Sequence, residues 1–205
     1  MTAQKSGFTL FTSTRVNKPC TITQSNCSKC TYPHKLRRKN EKNTYCHSDA
    51  FFAAGLSFGQ NLLNDSSFES GNLSTWNLTG DSADCYAEKN KGNAHSGEWS
   101  YHYWKKTAFT ASLDKKITGL SNGTYKLSVW SMGGGGENAI KLFARGFDNS
   151  GKEISAQIKN TGWKKWKQYS IEIPVQNGEV EIGIFVDANK ENWGNLDDIE
   201  LVKLN

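Results

Sequence analysis

The stretch Thr124-Tyr125-Lys126-Leu127-Ser128-Val129-Trp130-Ser131 alternates apolar and polar side chains, the period-two pattern of a strand half-buried on a sheet. If Tyr125, Leu127 and Val129 face a core, Trp130 stands on the opposite face beside Lys126 and Ser128. A large ring on the wet side of a sheet marks an interaction site. The stretch from Gly178 to Asp187 repeats the pattern, with Val180, Ile182, Ile184 and Val186 on one side and Glu181, Phe185 and Asp187 on the other. Aromatic rings, an acid and amides on one sheet face suit a sugar, whose C–H groups stack on a ring while its hydroxyls pair with flanking polar groups.

Turn chemistry recurs on both sides of these two segments, at Gly71-Asn72, Gly92-Asn93, Ser121-Asn122-Gly123, Asp148-Asn149-Ser150-Gly151 and Gln176-Asn177-Gly178. It delimits strands at 100–104, 107–117, 123–131, 139–147, 166–174, 179–187 and 197–204, with 152–160 polar and ambiguous. Short strands without sustained helical spacing predict an all-β fold, an antiparallel β-sandwich. Pro174 at a strand end fits an edge.

The chain divides near residue 60. Residues 1–60 carry nine Lys or Arg against Glu41 and Asp49, whereas residues 61–205 carry 16 basic and 18 acidic residues. The overall charge of +5 therefore belongs to the leader, and nucleic-acid binding is not expected of the globular part. No apolar run is long enough to span a membrane. The leader also holds Cys20, Cys27, Cys30 and Cys46, whose spacing admits a zinc ribbon. It lacks the periodic apolar residues to frame one, so a disordered or non-native leader is expected. Ala50-Phe51-Phe52-Ala53-Ala54-Gly55 resembles the tail of a secretory signal without its apolar body, which suggests a secreted protein whose signal is not intact here. Residues 61–205, a normal size for one domain, are expected to fold as a monomer without the leader.

Further residues carry a family resemblance. Asn61-Leu62-Leu63-Asn64-Asp65-Ser66-Ser67-Phe68-Glu69-Ser70-Gly71 and Leu196-Asp197-Asp198-Ile199 resemble the opening and closing segments of galactose-binding-like, jelly-roll carbohydrate modules. Gly133-Gly134-Gly135-Gly136-Glu137-Asn138-Ala139-Ile140-Lys141-Leu142-Phe143-Ala144-Arg145, Gly183-Ile184-Phe185-Val186-Asp187-Ala188-Asn189 and Asn192-Trp193-Gly194 resemble family 61 carbohydrate-binding modules. Those are the β-1,4-galactan-binding modules attached to bacterial family 53 endo-galactanases. The resemblance covers residues 61–205 and implies a non-catalytic module that binds β-1,4-galactan or galacto-oligosaccharides and targets an associated endo-β-1,4-galactanase. The alternatives are a galactan-hydrolysing fragment and a cell-surface adhesion sandwich. The resemblance also implies a structural Ca2+ held by Glu69 and Asp197, the latter sharing strand parity with Ile199 and Leu201.

Glu137, Asp187, Asp197 and Asp198 could supply a glycosidase's paired carboxyls, but duller roles are at hand for several, and no G-x-S-x-G, H-E-x-x-H or phosphate loop is present. Parity instead nominates sugar-binding residues. Trp130, Trp104 and His102 are expected on the ligand face; Arg145, held by Asp187, offers a planar fork to vicinal hydroxyls. Trp193 is placed at the rim, and Glu137 and Asn138 follow a glycine turn that lets backbone approach a sugar. Trp76, Trp99, Trp163 and Trp166 are assigned to the core or the sandwich ends, and His95 to a loop role.

Overall fold

The computed structural model describes residues 59–81, 84–159 and 161–204. Residues 1–58 of the basic leader, with its cysteines and the signal-like stretch as far as Gly55, lie outside the described residues. Ten strands form: β1 (Asn77–Gly80), β2 (Cys85–Lys89), β3 (Trp99–Trp104), β4 (Phe109–Thr118), β5 (Gly123–Gly133), β6 (Glu137–Arg145), β7 (Glu153–Gln157), β8 (Lys167–Val175), β9 (Glu179–Ala188) and β10 (Trp193–Lys203). They make two five-stranded antiparallel sheets, ordered β1-β4-β9-β6-β7 and β2-β3-β10-β5-β8. The all-β sandwich expected from the sequence is the fold observed. The segments missed are the short β1 and β2, and β7 forms where the pattern was ambiguous. Four or five residues carry too little alternation to stand out.

Period-two alternation builds the core directly. Tyr125, Leu127 and Val129 of β5 are buried against Val180, Ile182, Ile184 and Val186 of β9, each nearly free of solvent. Burying one such aliphatic chain contributes about 1.5–3 kcal/mol. Pro174 lies on β8, the edge strand of its sheet, where its missing N–H is tolerated. Trp76 and Trp99 pack in or against the core as the sequence suggested.

The opening segment docks on β10. Asn61 donates to the Ile199 carbonyl and accepts from the Leu63 and Leu201 amides, while Ile199 N–H donates to the Ser66 carbonyl. β10 itself contains a bulge between Asp197 and Glu200, with Asp198 at φ 46°. That extra residue breaks the parity from which Asp197 was grouped with Ile199 and Leu201. Leu196, Ile199 and Leu201 are in the core cluster, but Asp197 pairs with Trp130 and so shares its outward face.

Candidate functional site

The outer face of the β2-β3-β10-β5-β8 sheet gathers the polar and aromatic side chains that the core excludes. On β2, Cys85 and Ala87 point inward, which sends Tyr86 and Glu88 out. The register aligns Tyr86 with His102, His102 with Asn195 and Asn195 with Met132 across four strands. The adjoining row pairs Trp104 with Trp193. Tyr86 is 48% exposed and Trp104 42%, although both are large rings.

Between the rings lies a closed polar network. Glu88 Oε2 accepts from Asn93 Nδ2 and Asn195 Nδ2, each at 3.1 Å. Asn195 Nδ2 also donates to Ser100 Oγ at 2.9 Å, and Ser100 Oγ donates to the Asn93 carbonyl at 2.9 Å. His102 Nδ1 faces Asn195 Oδ1 at 3.4 Å and Glu88 Oε2 at 3.9 Å. Two acceptors beside one ring nitrogen place a proton on Nδ1, and Nε2 is the ring's remaining polar atom. Among the described residues nothing bonds Glu88 Oε1. The face therefore presents acceptors, suited to hydroxyl donors, framed by flat rings.

One side of this face is bounded by the loop joining β2 to β3. Asp197 Oδ2 accepts from the His95 and Ser96 amides at 2.8 and 3.1 Å, and Asp198 takes His95 Nδ1 at 2.6 Å and Ser96 Oγ at 2.6 Å. Glu69 Oε1 holds the other end of the loop through the Glu98 and Trp99 amides. His95 is thereby laid flat on Trp130, with centroids 4.0 Å apart, and Trp166 meets its edge. From the 159–166 segment Trp163 Nε1 donates to Asn93 Oδ1 at 3.2 Å, and the Gly162 amide bonds the Gly133 carbonyl. Trp163 is 59% exposed, so its placement at a packed sandwich end is corrected: its ring stands at the rim of this face.

The proposed binding residues separate into three places. Trp104, Trp193, His102 and Trp130 do share the outer face of one sheet. Trp130, however, has one ring face covered by His95, and the indole of Trp193 lies against Gly134. A β-carbon at Gly134 would strike that indole, so this glycine is required by packing. Arg145 and Asp187 lie on the other sheet, on its outer face. Arg145 pairs with Glu181 and not with Asp187, because β6·β9 register sets Arg145 opposite Glu181 and Asp187 opposite Ala139. Glu181 also raises the Arg145 pKa through their hydrogen bond. Asp187 instead accepts from Asn138 Nδ2 at 3.0 Å. Glu137 accepts from Asn192 Nδ2 at 3.0 Å and is opposite inward-facing Ala188, which turns it toward the sandwich end. Burial first, and then the Glu137 charge, push the Tyr103 hydroxyl far above the usual phenol range.

Residues that sequence reasoning did not single out are Tyr86, Glu88, Asn93 and Asn195, and it gave Trp163 a packing role. Two signals were available: Tyr86 and Glu88 alternate with Cys85 and Ala87, and Asn195 shares strand parity with Trp193. Nothing local could reveal that Asn93 reaches Glu88 or that Trp163 reaches Asn93. On this geometry Trp163→Ala should weaken sugar binding by about fivefold, on the order of 1 kcal/mol, with the melting temperature unchanged. Calorimetric titration alongside thermal unfolding measures both, and a large stability loss would return Trp163 to a packing role.

Known proteins share the fold of this chain. The model of a carbohydrate-binding domain family matches residues 60–188. Among solved structures, TmCBM61 in complex with β-1,4-galactotriose is 30% identical, with TM-score 0.66, over 71% of this chain and 99% of that one. A family 16 carbohydrate-binding module is similar at 18% identity and TM-score 0.53, over 70% of this chain and 100% of that one. The CBM22-1 xylan-binding domain of Paenibacillus barcinonensis Xyn10C matches at 18% identity and TM-score 0.50, over 72% and 98% of the two chains. The last two bear on the fold alone. No curated protein matches the sequence.

Proposed function

Because the chain belongs to this carbohydrate-binding domain family, as a non-catalytic module of the family 61 type, we propose that it binds β-1,4-galactan on the outer face of the β2-β3-β10-β5-β8 sheet. The observation that carries the proposal is the network of Glu88, Asn93, Asn195 and His102 set between the exposed rings of Tyr86, Trp104 and Trp163. Galactose has an axial O4, which leaves one face of C–H groups free to stack on a ring. Its remaining hydroxyls are donors for Glu88 Oε1 and hydrogen-bonding partners for His102 Nε2. Support for galactan over other polysaccharides comes from the sequence motifs and from the galactotriose bound by the 30% identical TmCBM61.

In this reading the module raises the local concentration of an associated endo-β-1,4-galactanase at its substrate outside the cell. The test is depletion of the purified chain by insoluble galactan, with release by β-1,4-galacto-oligosaccharide. Retention on xylan but not galactan would overturn the specificity. Retention on neither would remove the site and favour an adhesion role, and sugar release from galactan would favour a hydrolase.

The same reading includes a structural Ca2+ near Glu69 and Asp197. Both carboxylates grip one loop from opposite ends, and Asp197 is fully buried with no cationic partner among the described residues. Burial pushes its carboxyl up to about 6, opposed by the Ser96 amide and assisted by the charge of Asp198. A hard cation would offset that cost. Among the described residues no three or more His, Cys, Asp or Glu side chains group as a metal site, so backbone carbonyls and water would complete the shell. An ion held only by the folded state raises stability by mass action, so exhaustive chelation should lower the melting temperature by about 5 °C. An unchanged melting temperature would eliminate the ion.

A further inference from the structure

The glycine turn after β5 separates two surfaces of different character. On one side is the ring-framed sheet face. On the other is an open cleft of about 440 Å3, lined by Gly135, Gly136, Asn138, Gln157, Ile158 and Lys159 among others. That volume is within the range of small-molecule sites, and the lining is almost evenly polar and apolar. Two chain segments run from the cleft to the sheet face. In the first, Gly135 and Gly136 line the cleft while neighbouring Gly134 lies on the Trp193 indole. In the second, Lys159 lines the cleft, the Gly162 amide is tied to the Gly133 carbonyl, and Trp163 reaches Asn93 on the sheet face.

We propose that the cleft is a second sugar subsite, and that a galactan chain seated on the sheet face continues over the glycine turn into it. The inference rests on the galactan reading above. The floor of the cleft is fixed where a ligand needs it fixed. Asn138 donates to Asp187 and accepts from Asn189 Nδ2 at 3.1 Å, and the Asn189 amide and side chain both bond the Gly136 carbonyl at 2.9 Å. Tyr169 Oη donates to the Lys159 carbonyl at 2.7 Å, which pins the opposite wall. The Gln157 amide and the Lys159 ammonium form no hydrogen bond to other described residues and are exposed. Together they offer donors and an acceptor to hydroxyls, complementing the acceptors of the sheet face. The lack of a large flat ring among the lining residues favours an equatorial edge of hydroxyls over a stacked sugar face.

The consequence is a dependence on chain length. The full chain should bind β-1,4-galactohexaose more tightly than galactobiose, and the Gln157→Ala/Lys159→Ala double variant should lose about tenfold in affinity for the hexaose only. Both positions are exposed, so folding should survive, and unchanged galactobiose affinity checks it in the same titrations. Equal losses for both sugars, or none for either, would overturn the second subsite while leaving the sheet-face reading standing. Failure of the unaltered chain to bind either sugar would overturn the galactan reading itself.

Discussion

Glu88→Ala should lower affinity for galacto-oligosaccharide by about a hundredfold, roughly 2.7 kcal/mol, while the domain remains folded. The carboxylate does two things at once. Its Oε1 accepts from no other described residue and is open to a ligand hydroxyl, and its Oε2 holds the side-chain amides of Asn93 and Asn195 at 3.1 Å. Removing it deletes the acceptor and frees the amides that shape the face, including the Asn93 to which Trp163 is bonded. Hydrogen bonds to charged groups are worth more than neutral ones, and both effects act on the same ligand. Glu181→Ala is the matched control, since Glu181 pairs with Arg145 on the other sheet. Titration calorimetry on the two variants decides the matter. Normal binding by Glu88→Ala with loss in Glu181→Ala would move the sugar to the opposite face of the sandwich.

Trp130→Ala should act on stability and only secondarily on binding. One face of the ring is stacked on His95 at 4.0 Å, and His95 is in turn held by Asp198 at 2.6 Å. Truncating a packed indole of this kind costs about 3 kcal/mol, or roughly 10 °C in melting temperature for a domain of this size. The loop from His95 to Glu98 would lose the surface it lies on, although its anchors at Asp197 and Glu69 remain. Thermal unfolding measures the loss. A variant that melts like the parent but no longer binds galactan would restore Trp130 to the sugar-stacking role expected from its strand parity.

The contrast between these two side chains shows what could be read from residues alone. Trp130 was correctly placed on the outward face of its strand, because alternation fixes that face. Its partner was invisible, because His95 is brought over it by a loop whose anchors, Asp197 and Asp198, lie about a hundred residues downstream. Glu88 went unnoticed for the opposite reason. Its five-residue strand is too short to show a period, yet pairing with β3 gives it a defined face.

Arg145 and Asp187 mark a second limit. Each was assigned the right side of its own strand, and both do face outward. Parity cannot say which sheet a strand joins, and β6 and β9 joined the sheet opposite to the one holding Trp104 and His102. Register then gave Arg145 to Glu181, six residues along the same face of β9 from the expected partner Asp187.

By itself the sequence determined the class of fold, seven of the ten strands, the buried faces of β5 and β9, and the family resemblance that the comparisons uphold. Those properties follow from local patterning and short motifs, which neighbouring residues specify together. Only the tertiary structure decided the division of the outward side chains between two sheets, the bulge at Asp198 that turned Asp197 outward, and the assembly of Glu88, Asn93, His102 and Asn195 into one network. Each depends on pairing between distant strands, where a single inserted residue reverses which side of a sheet a side chain occupies.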